Sequence, residues 1–299
     1  MISDAAWCDL NKDTWPDLIV AGEWMSVQVW INQKGSGFLN ESEKWNLNNT
    51  GGIWHSISCG DFDSDGDTDL IAGNHGLNSR LRADEQNPIK LYITDLDNNS
   101  SIDQLLEYRN NGKPSPFWTR DQLTRQVPSL KKHFLRYSDY KEITTEEILR
   151  LAGKTNPEYK TVHMLASTYF ENTGGKFTAR PLPAEAQFAP VFAICPADLN
   201  NDRFTDFLIG GNLFPVTPEL GRMNASRGLV LYGKENGSFE AVNGANSGFL
   251  IEGECRSLNL ISEKNNTLFF AAGMNNGPLK VFRYDRPDQR NSPSPEKPN

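Results

Sequence analysis

Short apolar runs, broken by glycine- and asparagine-rich polar stretches, recur along most of the chain. Val27–Ile31, Ile57–Asp61, Leu70–Ala72, Leu229–Tyr232 and Leu279–Phe282 are β-branched or aromatic and bounded by Gly and Asn, which predicts strands. Asn172–Phe177 and Glu235–Phe239 carry the Gly-containing turns of hairpins. From about 117 to 160 the pattern becomes helical, with capping boxes at Thr119/Gln122 and Thr144/Glu147. Leu130, Phe134 and Tyr137 fall at i, i+4 and i+7, one apolar stripe.

Four polar stretches between strands repeat one another, with Asp or Asn at positions 1, 3, 5 and 9. They hold Asp9, Asn11, Asp13 and Asp17; then Asp61, Asp63, Asp65, Asp67 and Asp69; then Asp95, Asp97, Asn99 and Asp103; and finally Asp198, Asn200, Asp202 and Asp206. Each unit reads as strand, acidic loop, strand and a further hairpin. A unit near 254–282 keeps the strands and lacks the loop. About four short strands per repeat predicts an all-β fold, a β-propeller with about five blades, carrying a helical insertion at about 117–160. The propeller should occupy 1–286. Residues 287–299, with four prolines and no large apolar residue, read as a disordered tail.

Carboxylates at alternate positions put hard oxygen donors on one side of a tight loop. With a carbonyl at position 7 and the Asp at position 9, they suit calcium, which takes six to eight oxygens in flexible geometry. Five Asp between 61 and 69 also repel one another unless a cation neutralises them. An EF-hand would need a Glu at position 12, where Val20, Ala72, Leu106 and Ile209 stand. The bland alternative is a solvated Asx-rich turn that binds nothing. Only the second loop has Gly at position 6, Gly66; Thr14, Ser100 and Arg203 stand there in the others, which predicts weaker or distorted sites.

The loop-plus-strand unit resembles the FG-GAP or VCBS repeat, the calcium-binding blade motif of integrin α-subunit propellers and of many bacterial surface proteins. GGIWHSISCGDFDSDGDTDLIAGNHGLNSR, PSLKKHFLRYSDY and PELGRMNASRGLVLYG are further similar to the C-terminal parts of large bacterial VCBS-repeat proteins. The resemblance covers most of 3–286. It implies an exported, calcium-loaded propeller that binds or scaffolds. Such propellers usually close with seven blades, so the chain reads as part of a larger ring, chain or exported assembly.

Composition narrows the function. The net charge is -8, so clustered Lys and Arg for nucleic acid are missing. No apolar stretch is long enough to span a bilayer, and Met1–Asp4 does not open a signal peptide. Residues 117–160 hold 9 basic and 6 acidic side chains, making the insert +3 and the remainder -11. Cys8, Cys59, Cys195 and Cys255 form no metal or redox motif and read as buried thiols rather than disulfides.

G-x-S-x-G, H-E-x-x-H and G-x-G-x-x-G are absent, and Gly153-Lys154-Thr155 lacks the first Gly of a P-loop. His55 and His75 flank the second loop, and read as turn residues unless they face a central funnel. Trp24, Trp30, Trp45, Trp54 and Trp118 are candidate sugar platforms, although blade packing is the commoner use. The sequence therefore points to a non-enzymatic extracellular or cell-surface calcium module. Its partner is a protein or polysaccharide, and the alternative is the propeller of a carbohydrate-active enzyme such as a polysaccharide lyase.

Overall fold

The computed structural model describes residues 1–264 and 266–286; the proline-rich tail lies outside them. The described residues are mostly β, in five antiparallel sheets. The first sheet holds β1 (Ile2–Cys8), β2 (Asp17–Met25), β3 (Gln28–Asn32) and β4 (Phe38–Asn40), with the short β5 (Gly52–Ile53) paired to β2. The second begins with β6 (Ser56–Gly60) and β7 (Asp69–Gly73). The chain then leaves it to build β8 (Ile89–Thr94), β9 (Asp103–Asn110), β10 (Lys113–Pro116) and β11 (Tyr159–Val162) as a separate sheet. It returns to complete the second sheet with β12 (Thr168–Asn172) and β13 (Phe177–Pro181). A third blade follows with β14 (Val191–Ala197), β15 (Asp206–Gly211), β16 (Leu229–Gly233) and β17 (Phe239–Asn243). The last sheet has three strands, β18 (Cys255–Lys264), β19 (Thr267–Met274) and β20 (Lys280–Asp285).

Four of these sheets stand in a row like propeller blades, because their first strands pack in series, β1 on β6, β6 on β14 and β14 on β18. All four first strands line one cavity of about 280 Å³ at the axis. Apolar layers fill the gaps between blades: Ile19, Val29, Ile57, Leu70 and Phe170 in one, and Ala193, Leu208, Cys255, Leu258 and Phe270 in another. Backbones come very close there. A Cβ on Gly73, in the second blade, would sit 2.3 Å from the carbonyl oxygen of Val191 in the third. Among the described residues no strand pairing joins the first and last blades.

The repeat count of five holds, but the third repeat is nested. The sheet of β8–β11 is an excursion from the second blade and touches the row through β11, which packs on β2 and β5. Its two ends are tied by buried Asn74, whose amide nitrogen donates to the carbonyls of Met164 (3.0 Å) and Ala166 (3.3 Å).

The helical insert is present as α1 (Arg120–Gln126), α2 (Thr145–Leu151) and two 3-10 turns, Pro128–His133 and Tyr137–Asp139. It packs on the nested sheet, with Leu123, Val127, Leu130, Phe134 and Ile148 against Tyr92, Leu96 and Leu105. The Thr119/Gln122 capping box forms in full; at Thr144 the side chain caps Glu147. The predicted stripe breaks at its end. Leu130 and Phe134 are buried, but Tyr137 is 65% exposed, because the first 3-10 turn ends at His133 and a separate one starts at Tyr137, so the three residues do not share one helix.

Candidate metal centre

Each acidic loop is the hairpin between the first two strands of its sheet or, in the third repeat, between β8 and β9. All four share one backbone path. The residue at position 4 is left-handed in every case (Lys12, Ser64, Asn98 and Asn201, φ between 59° and 66°). So is the residue at position 6, with Thr14 at 73°, Gly66 at 90°, Ser100 at 68° and Arg203 at 77°. Loss of the glycine therefore does not change the loop. It makes three non-glycine residues hold a conformation that costs them roughly 1–2 kcal/mol each.

The carboxylate at position 1 organises the turn by accepting backbone N–H groups. Asp9 accepts from Asp13 and Thr14, Asp61 from Gly66, Asp95 from Asn99 and Ser100, and Asp198 from Asn201 and Arg203. Position 9 faces the other way. Asp17, Asp69 and Asp206 are fully buried, and each holds two backbones at once. One oxygen accepts the N–H of position 2 (Leu10 at 2.9 Å, Phe62 at 3.2 Å, Leu199 at 2.7 Å). The other accepts an N–H from the end of the third strand (Asn32 at 2.8 Å, Asn172 at 2.9 Å, Gly233 at 2.9 Å). Burial pushes the Asp69 and Asp206 carboxyls up to about 6, against the lowering effect of those N–H donors. In the nested sheet Asp103 differs: it accepts the Leu96 N–H and, from the insert, the Gln126 side-chain amide, and an oxygen of it also lies beside Asp95 and Asp97. Position 2 is thus a working part of the repeat. Its apolar side chain, Leu10, Phe62, Leu96 or Leu199, is buried in every loop, a regularity visible in the sequence.

Two loops gather three carboxylates. Oxygens of Asp61, Asp63 and Asp65 lie within 4.8 Å of one another, as do those of Asp95, Asp97 and Asp103. Asp67 and Asp69 are not in the first group; Asp67 instead pairs with Lys12 of the neighbouring loop at 2.6 Å. The loops at 9–17 and 198–206 have Asn at position 3, and their acids form no such triad among the described residues.

Both triads have features that suit a cation. Burial, with Asp65 and Asp61 close by, pushes the Asp63 carboxyl above its ordinary range, against the backbone N–H of Asp65 that it accepts. In the other, Asp97 Oδ1 is buried and has no hydrogen-bond partner. Three hard oxygens with an orphan among them fit calcium better than a softer metal.

The loops also touch in series. Lys12 reaches Asp67, Ser64 donates to the Arg203 carbonyl at 3.4 Å, and Asn201 donates to Asn266 of the last hairpin at 3.0 Å. They form one continuous rim at one end of the row. The nested loop is held by its own insert, through Lys154 to Asn98 at 2.7 Å.

His55 lines the axial cavity, stacked on Phe192 at 4.1 Å, with the Arg256 guanidinium also 4.1 Å from that ring. Burial, then His75 and Arg256, lowers it to about 3; burial lowers His75 to about 4. Trp45 and Trp54 are core residues, and Trp24, Trp30 and Trp118 are half-buried. The exposed indoles are Trp7 and Trp15, which the sequence did not single out.

A family model described as FG-GAP-like repeat matches residues 9–72, from the first acidic loop through the strand that follows the second. That stretch is similar to an FG-GAP-like repeat. No curated protein matches the chain. No helix among the described residues is long and apolar enough to cross a membrane.

Proposed function

We propose that the protein is an extracellular calcium-binding recognition module, in which calcium stiffens the hairpin rim that a protein or polysaccharide partner meets. The observation that carries this reading is the pair of carboxylate triads, with Asp97 Oδ1 buried and unpartnered in one. Asp61, Asp63 and Asp65 would hold one ion, and Asp95, Asp97 and Asp103 another. Bound calcium supplies positive charge that cancels carboxylate repulsion; the protein's part is to hold the oxygens in place from Asp-capped turns. Asp9, Asn11 and Asp13, and Asp198, Asn200 and Asp202, sit on the same backbone path with fewer charges and would bind more weakly.

Sites without a bidentate Glu at position 12 belong with extracellular modules, whose dissociation constants run at roughly 0.1–1 mM. Only a calcium-rich compartment keeps such sites filled, which supports an extracellular setting. The test is a thermal melt in calcium and in chelator. Wild type should melt several degrees lower in chelator, and Asp61→Ala/Asp65→Ala should lose much of that response. Equal melts in the two buffers would reject the reading. A glycan array with product analysis separates recognition from a lyase activity, which would leave unsaturated ends.

A further inference from the structure

We propose that Cys8 and Cys59 form a disulfide between the first and second blades when the protein meets an oxidising environment. The two residues sit on the first strands of adjacent blades, β1 and β6, which pack against each other. The strands are held in register by the Ile57 N–H, which donates to Asp4 Oδ2 at 2.9 Å. The Cys59 thiol lies 3.6 Å from the carbonyl oxygen of Trp7, the residue before Cys8, which places the two cysteines side by side across the strands. Both are half-buried at the edge of the same apolar cluster, so a small oxidant can reach them. The other two cysteines differ: Cys195 and Cys255 are fully buried, their thiols facing the carbonyls of Pro196 and Ser257.

Glutathione disulfide is the co-reactant. One cysteine sulfur attacks it, releasing one glutathione thiol and leaving a mixed disulfide. The second cysteine sulfur then attacks the first, releasing the other glutathione thiol. Two protein thiols are oxidised, one small disulfide is reduced, and each proton lost from the protein ends on glutathione.

The bond would staple the bases of the first two acidic loops, since Cys8 directly precedes Asp9 and Cys59 stands two residues before Asp61. Their tips are already joined by Lys12 and Asp67. Closing a loop of this length limits the unfolded chain far more than the folded one, so the staple favours the native state. The proposal does not depend on calcium and is tested in chelator.

Folded full-length protein is treated with glutathione disulfide, alkylated and digested with trypsin without reduction. The expected product is peptide 1–12 joined to peptide 45–80, lighter than their sum by two hydrogens. The oxidised wild type should also melt several degrees above its reduced form, a shift absent from Cys8→Ser/Cys59→Ser. Recovery of both peptides alkylated, persistent glutathione adducts on either cysteine, or linkage to Cys195 or Cys255 would each overturn the proposal. Because the peptide result is read on wild type, it stands even if the double variant folds poorly.

Discussion

The carboxylate of Asp69 accepts the backbone N–H of Asn172 at 2.9 Å, across a sequence separation of 103 residues. The same carboxylate also accepts the Phe62 N–H and the Tyr169 hydroxyl. It is therefore the clasp that lets the second blade close after the chain has built a whole sheet, two α-helices and two 3-10 turns elsewhere.

Asp69→Ala should cost about 3 kcal/mol, since it strands two buried N–H groups and a hydroxyl. Asp69→Asn should cost less, because burial already works against the charge and an amide oxygen can keep one of the bonds. Urea unfolding in chelator, which removes any metal contribution, measures both. A loss under about 0.5 kcal/mol for the alanine variant would mean the clasp is not structural.

The left-handed residue at position 6 gives an opposite pair of outcomes. Thr14 is β-branched, exposed and held at φ 73°. Thr14→Gly should stabilise by about 0.5–1 kcal/mol, the relief of strain exceeding the extra entropy of an unfolded glycine. Gly66→Ala should destabilise by about 1 kcal/mol. Denaturant midpoints check the signs, and identical signs would contradict the shared loop conformation.

Acid sensitivity follows from His55. Its folded pKa is lowered to about 3, so between there and its unfolded value of 6.5 only the unfolded chain takes up the proton. Stability from this residue is complete above pH 6.5 and is lost as the pH falls toward 3. Glu23 Oε1 stands 3.9 Å from Nδ1, but burial outweighs it. Asp69 and Asp206, raised to about 6, act in the opposite sense: they stabilise the folded state as the pH falls from about 6 to 4. The informative quantity is therefore the difference from His55→Phe, which keeps a ring on Phe192. Relative to that variant, wild type should lose up to about 1.4 kcal/mol per pH unit below 6.5. Parallel stability curves would show that His55 is not buried neutral.

How much of this was legible in the sequence differs by scale. The loops were, because Asp9, Asp61, Asp95 and Asp198 each stand at the start of the same alternation of Asp and Asn. The Thr119/Gln122 cap was as well, its signal being wholly local. Nesting was not. Leu70–Ala72 reads as a strand whether it pairs next with the following segment or with Thr168–Phe170, and nothing near it says which. The role of position 9 was half-legible: an acid was visible at Asp17, Asp69 and Asp206, but its two backbone partners come from position 2 and a distant strand. The strain at Thr14 and Arg203 was hidden because a missing glycine suggests a different turn, whereas here the turn is imposed by Asp9 and Asp198.

Calorimetric titration of the metal-free chain with calcium is the most direct test of the metal account. It predicts heat from at least two sites at roughly 0.1–1 mM, with one lost in Asp61→Ala/Asp65→Ala and another in Asp95→Ala/Asp97→Ala. No saturable heat in the wild type, or the same titration in all three proteins, would contradict it.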